Sequence, residues 1–302
     1  MNSYLLKLSD GQSWQLMASP EGRGAADFLE KFACIMELKP CGAYDIEKIM
    51  FCVTDDFLAI KDGCNKKYLG PEAGEGANGW FGYDHKSLRV WNHPRIPDVI
   101  CEICDNGTHD VEIQNMWFAL QPIFQKAQVR GGLPMHAALL ELAGKGILIS
   151  ACSNTGKSTC CRRVPGYWKV LGDDETLIVP GSGKGFRAHP FPSWSDYLWR
   201  KSEKKWQVES SVPLSAIFFL EQAEATEILP VGKGESAVLI NQSANQVEER
   251  FWIWSDQTTK TMQVKRIFDN ACALAKTVPA YRLRASLNSR FWEEIERVIR
   301  VA

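Results

Sequence analysis

The residues Ala151-Cys152-Ser153-Asn154-Thr155-Gly156-Lys157-Ser158-Thr159 have the types and order that bind phosphate. A loop closing around phosphates presents successive backbone N–H groups, and the helix that follows adds its positive end. A lysine reaches the outer phosphates, and a neighbouring hydroxyl can ligate Mg²⁺. Lys157 and Ser158 supply those last two groups, so Ser153, Asn154, Thr155, Gly156, Lys157, Ser158 and Thr159 form the candidate nucleotide-binding set. The stretch departs from G-x-x-x-x-G-K-[ST] at its first position, Ala151, and carries Asn154 where such loops often have glycine. Asparagine visits the left-handed region more cheaply than other non-glycine residues, so the loop can still close. The apolar run Gly146 to Ser150 reads as a buried strand feeding the loop, a context that separates a nucleotide site from an ordinary strand-to-helix turn.

Two further features belong to the same chemistry. Tyr167 to Leu171 reads as a second strand that ends in Gly172-Asp173-Asp174-Glu175. In phosphoryl transfer one carboxylate holds Mg²⁺ and another accepts the hydroxyl proton of the attacking group, and adjacent aspartates at a strand end can serve both. Upstream, Leu133 to Leu142 reads as an apolar strand joined through Ala143-Gly144-Lys145-Gly146 to the strand carrying the loop, a hairpin pattern. A lone histidine in such a strand is usually a core residue, yet the hairpin can bring His136 beside the phosphate loop.

The order of strand with His136, hairpin, phosphate loop and Asp173-Asp174 resembles the HPr kinase/phosphorylase group, whose nucleotide-binding architecture is shared with phosphoenolpyruvate carboxykinase. Within that group, Ser158 to Pro165, Gly172 to Leu177 and His189-Pro190-Phe191-Pro192-Ser193-Trp194-Ser195 are similar to the HPr-kinase-related type of the SynChlorMet cassette, which is encoded beside radical-SAM enzymes and a small precursor peptide. The resemblance implies an α/β (α+β) fold: a P-loop kinase domain with a smaller mixed α+β N-terminal domain. It also implies ATP and Mg²⁺ as cofactors. On this basis Lys157 would hold the β- and γ-phosphates, Ser158 and Asp174 would position Mg²⁺, Asp173 would be the base, and His136 would lie near the transferred phosphate. The acceptor would be a serine or threonine of a cassette-encoded peptide or small protein, with radical-SAM cassette enzymes as further partners. The competing readings are a nucleotide-binding assembly or regulatory factor without transfer, and an ATPase. Ala151 and Asn154 keep the first of these open, and the second shares the loop.

Composition is consistent with an enzyme of this kind. The chain has 302 residues and a formal charge of −1, which gives no electrostatic footprint for nucleic acid. There is no run of 18 apolar residues to span a membrane, and no basic-plus-apolar signal pattern at the N-terminus, so a cytoplasmic location is expected. Homo-oligomerisation stays open. The ten cysteines are irregularly spaced and read as reduced thiols. Cys101-Glu102-Ile103-Cys104, with His93 and His109 nearby, could complete a zinc site or could be two packed thiols. Of Cys160 and Cys161, one is expected to face the sheet. Arg162, Arg163 and Arg187 are candidate phosphate clamps.

The elements that must position these groups divide the chain. Residues 1–110 mix short strands (Ile49 to Val53, Leu88 to Trp91) with a helix over Ala25 to Glu37 and a glycine-rich loop from Tyr68 to Tyr83. Residues 111–130 read as one amphipathic connecting helix with Ile113, Trp117, Leu120, Phe124 and Ala127 on a face, kinked at Pro122. Residues 131–302 form the nucleotide-binding part. Within it, Ala216 to Glu221 reads as a buried strand, and Glu227 to Ile240 as a strand, a turn at Gly232 to Gly234, and a strand or short helix. Phe268 to Thr277 and Asn288 to Ile299 read as helices on either side of a strand at Tyr281 to Leu283. The Pro-Phe-Pro-Ser-Trp-Ser stretch is either a grip for a base or peptide, or a structural corner.

Overall fold

A computed structural model describes residues 3–20, 24–54, 68–69, 79–85, 87–104, 107–152, 154–183, 185–200, 202–252 and 257–301. The fold is mixed α/β with two mixed sheets. The chain forms two compact units. The first comprises Met1–Lys126, Trp194–Lys205 and Arg250–Thr261, and the second Ala127–Ser193, Trp206–Glu249 and Met262–Ala302.

The first unit holds strands β1 (Ser3–Lys7), β2 (Ser13–Ala18), β3 (Lys39–Pro40), β4 (Lys48–Thr54), β5 (Tyr68–Leu69), β6 (Phe81–His85), β7 (Leu88–Asn92) and β8 (Val99–Cys104). They form one sheet in the order β3-β1-β2-β4-β8-β7-β6-β5, parallel at β2–β4 and β4–β8 and antiparallel elsewhere. Helix α1 (Ala25–Ile35) buries Phe28, Leu29 and Phe32 at helical spacing, and Phe28 and Phe32 meet Phe51 of β4 with ring centroids 5.5 and 5.8 Å apart. The glycine-rich loop expected over Tyr68 to Tyr83 is bounded by β5 and β6, and its residues 70–78 lie outside the described set.

The single helix expected over 111–130 is two, α2 (His109–Phe118) and α3 (Gln121–Val129). Pro122 sits in the first turn of α3, where its missing N–H costs nothing, so the proline starts a helix instead of kinking one. Ile113, Leu120, Phe124 and Ala127 are buried as the periodicity predicts, and Trp117 lies under the Arg250 guanidinium, 4.0 Å from the ring centroid.

The second unit is built from β9 (Leu133–Leu142), β10 (Lys145–Ser150), α4 (Lys157–Arg163), β11 (Lys169–Gly172), β12 (Glu175–Pro180), β13 (Phe186–Phe191), β14 (Val212–Gln222), β15 (Glu227–Pro230), β16 (Ala280–Ala285) and α8 (Phe291–Val301), with most of α6 (Lys233–Trp252) and α7 (Gln257–Thr277); α5 (Trp194–Arg200) belongs to the first unit. The hairpin between β9 and β10 turns on two residues, Ala143 (φ 50°) and Gly144 (φ 80°), both left-handed as a twisted two-residue hairpin requires. The first four residues of β9 pair with β12 and the remainder with β10. Likewise β14 pairs with β13 at its start and then runs parallel to β10 and β16. The hydrogen-bonded path β10-β9-β12-β13-β14 therefore returns to β10.

Alternation along the strands decides what each face meets. Ala138, Leu140, Ile147, Ile149, Ala216 and Phe218 share a face and pack with Cys160 and Cys161 of α4 and with Phe291, Ile295 and Ile299 of α8. Both adjacent cysteines are buried, not one, because α4 is enclosed in the same core as α8. The segment expected as a strand or short helix up to Ile240 is the 20-residue α6. Its buried positions Ser236, Ala237, Ile240, Ser243, Ala244, Val247 and Glu248 have helical spacing, but small and polar residues carry that spacing, so hydropathy hides it.

Candidate functional site

Strand register brings the candidate residues to one end of the second sheet. Ser150, the last residue of β10, pairs with Ala137, and the preceding residue of β9, His136, pairs with Glu175, the first residue of β12. Gly172, the last residue of β11, pairs further along the same strand with Leu139. Asp173 and Asp174 are thus the corner where the chain crosses from one partner position on β9 to the next, beside the point where β10 releases the phosphate loop.

In that loop Asn154 (φ 65°) and Gly156 (φ 117°) are left-handed. Asparagine fills the first of these positions, which explains how the loop closes without glycine there. Thr155 N–H donates to Cys152 O at 3.3 Å, and Cys160 N–H to Gly156 O at 2.9 Å, starting α4. Ser153 lies outside the described residues. Ser158 and Thr159 follow Lys157 on α4 and are half-buried.

Lys157 is only 6% exposed, and its Nζ donates to Ala151 O at 3.0 Å. Burial lowers its pKa, while the charges of Asp174, Cys152, Cys161 and Asp173 pull the other way. The lysine and both aspartates therefore share one electrostatic neighbourhood.

The two acids are held differently. Asp173 Oδ1 accepts the hydroxyl of Ser193, a fully buried residue, at 2.7 Å. Asp174 Oδ1 lies 3.0 Å from His136 Nε2, and His136 Nδ1 lies 2.5 Å from Gln246 Oε1 of α6. The buried hydroxyls of Ser150 and Ser243 are 2.8 Å apart and each reaches His136 O at 3.3 Å, tying β9, β10 and α6 together here. With both ring nitrogens engaged, His136 is placed to orient a carboxylate and not to attack phosphorus. Ser193, Gln246 and Ser243 have no motif of their own. Ser193 stood in the quoted Pro-Phe-Pro-Ser stretch, and Gln246 is 110 residues from its partner.

The other candidates have structural duties. Arg187 donates to Ser211 Oγ and O at 2.8 and 2.6 Å. Arg163 donates to Ser289 O at 2.6 Å and lies over Phe291 and Trp292. Arg162 donates to Thr159 Oγ1 at 3.4 Å on the surface. Phe191 and Trp194 are fully buried, so the aromatics of the Pro-Phe-Pro-Ser-Trp stretch are packed within the protein, as the structural-corner reading expects. Cys101 and Cys104 are three apart on β8 and so point to opposite faces. Cys101 is fully buried and its thiol pKa is pushed up by burial. Among the described residues no group of three or more His, Cys, Asp or Glu is placed to hold a metal ion. Nor, among them, is any helix long and apolar enough to cross a membrane.

No curated protein matches the chain. A family model described as the SynChlorMet cassette protein ScmC matches residues 99–300, two thirds of the length, which include the phosphate loop, His136, Asp173 and Asp174. The chain belongs to the ScmC family of SynChlorMet cassette proteins.

Proposed function

We propose that this protein is a kinase related to the HPr kinase/phosphorylase group, with the second unit as its P-loop nucleotide-binding domain, and that it transfers the γ-phosphoryl group of ATP to a serine or threonine hydroxyl of a cassette-encoded peptide or small protein. The observation that carries this reading is the convergence of a buried lysine, a left-handed phosphate-type loop and two separately anchored carboxylates at one sheet end. The donors suit the group they would hold, since the Asp174 carboxylate and the Ser158 hydroxyl are the hard oxygens that Mg²⁺ prefers. When bound, the ion would neutralise charge building on the phosphate oxygens.

Lys157 binds the outer phosphates, and its burial strengthens that attraction by excluding water. His136, fixed by Gln246, orients Asp174 toward Mg²⁺. Asp173, oriented by Ser193, accepts the hydroxyl proton as the acceptor oxygen bonds to phosphorus and the bond to ADP breaks. Most of the rate acceleration then comes from positioning and charge stabilisation.

The test is incubation with γ-labelled ATP, Mg²⁺ and the cassette precursor peptide, with Asp173→Asn as control. A mass gain of one phosphate on the peptide, lost in the control, is expected. Nucleotide binding without transfer would instead support an assembly factor, and release of inorganic phosphate alone an ATPase.

A further inference from the structure

The phosphate loop has a second neighbour besides the acids. Strand β10 lies between β9, which carries His136, and β14, and a cleft of about 530 Å³ opens on the β14 side. The last pair between β10 and β14 is Ser150 with Phe219, so Leu220 to Gln222 run on past the end of β10 and stand level with the loop. Leu220 and Gln222 wall the cleft together with the loop residues Asn154 to Gly156, Thr159 of α4, the end of β16 and Phe291 at the start of α8. Gln222 Nε2 donates to Thr155 O at 3.2 Å, so wall and loop are joined by a hydrogen bond. Arg163 locks the rear wall by bonding Ser289 O and covering Phe291. His136, Asp173 and Asp174 do not line this cleft.

Resting on the phosphate-loop reading above, we infer that this cleft takes the nucleoside of a nucleoside triphosphate, so that the bound molecule straddles the loop with its γ end toward β9 and its base toward β14 and β16. The volume falls within the range of small-molecule sites, ~300–1,000 Å³. Its walls are of the mixed kind a base and ribose need: Leu287, Ala223 and Ala285 offer apolar surface, while Gln222, Glu224 and Ser286 offer a few polar groups at the rim. The alternative occupant, the phosphate acceptor, is disfavoured by topology, because an acceptor must reach Asp173 on the opposite side of the loop.

The test compares binding of Mg-ATP and Mg-tripolyphosphate to the full-length chain by calorimetry, in the wild type, Ala223→Trp, Ser286→Trp and Lys157→Ala. Both tryptophans fill the cleft from half-exposed positions, one just past the end of β14 and the other just past the end of β16, and melting temperatures confirm folding. The expected result is at least tenfold weaker ATP binding in the tryptophan variants with tripolyphosphate unchanged, while Lys157→Ala weakens both ligands. Unchanged ATP affinity in the filled variants would overturn the inference and leave the phosphate loop standing, as would a wild type that binds tripolyphosphate as tightly as ATP. That second comparison needs no variant to fold. If Lys157→Ala alters neither affinity, or the wild type binds neither ligand, the phosphate-loop reading itself fails.

Discussion

Replacing Lys157 with methionine should weaken binding far more than folding. In the unliganded protein the ammonium is buried, and desolvation dominates its lowered pKa over the favourable charges of Asp174, Cys152, Cys161 and Asp173. Methionine keeps an unbranched stem and removes the charge. Apolar replacement of buried charge is neutral to stabilising, by up to ~1–4 kcal/mol. Against that stands the lost bond to Ala151 O, worth ~1 kcal/mol. The net expectation lies between a loss of ~1 and a gain of ~3 kcal/mol in unfolding free energy. Binding should fall. Leaving phosphate charge without its buried partner costs ~3–5 kcal/mol, which is ~10²–10⁴-fold in Kd. The pH dependence has a definite sign. A lysine whose folded pKa lies below its unfolded value of 10.5 penalises the fold while charged. That penalty fades as pH rises through the folded pKa toward 10.5, so the stability gap between variant and wild type should narrow with rising pH. Urea unfolding of the unliganded proteins and calorimetric titration with Mg-ATP read the two effects. A variant that is clearly less stable and still binds ATP normally would refute the reasoning and make Lys157 a strap for the Ala151 carbonyl.

Three other outcomes are expected. His85 is fully buried, with its pKa pushed down to about 4 by desolvation, which outweighs the opposing effect of a hydrogen bond to Gln121. Its contribution is intact above pH 6.5 and is lost as pH falls toward 4, ~3 kcal/mol in all, so urea midpoints at pH 7 and 4.5 should diverge in the wild type more than in His85→Leu. A Cβ at Gly132 would stand 2.9 Å from Ala127 O and 3.0 Å from Ile178 O, both backbone atoms; Gly132→Ala should cost ~1–3 kcal/mol in thermal or urea unfolding. Ser193→Ala removes the hydroxyl that holds Asp173, a bond to a charged group worth ~1.5–3 kcal/mol; peptide phosphorylation should fall ~10-fold or more with nucleotide affinity retained, and loss of both together would count against a positioning role.

Much of the second unit was legible because its strands are nearly continuous apolar runs with clear punctuation. Ala143-Gly144 marks the hairpin, and Gly156-Lys157 marks the passage from β10 to α4. Three features were hidden for identifiable reasons. Helix α6 buries Ser236, Ala237, Ser243, Ala244 and Glu248 between Ile240, Val247 and Phe251, so its hydropathy periodicity is diluted. Pro122 reads as a kink or as a helix start, and only the break at Ala119-Leu120 decides between them. The segments Trp194–Lys205 and Arg250–Thr261 fold with the N-terminal unit, and no composition shift marks them.

From the sequence alone came the chemistry: a lysine after glycine in a phosphate-type loop, a hydroxyl beside it, and two acids at a strand end, all within a short span where local spacing governs. Only the tertiary structure decided how those groups are held. The pairing of His136 with Asp174 and Gln246, of Asp173 with Ser193, and the cleft beside β14 depend on contacts between residues distant in the chain. Such contacts are set by strand register and by which face of α6 meets the sheet; periodicity says which side of an element is buried but not which distant residue it meets there.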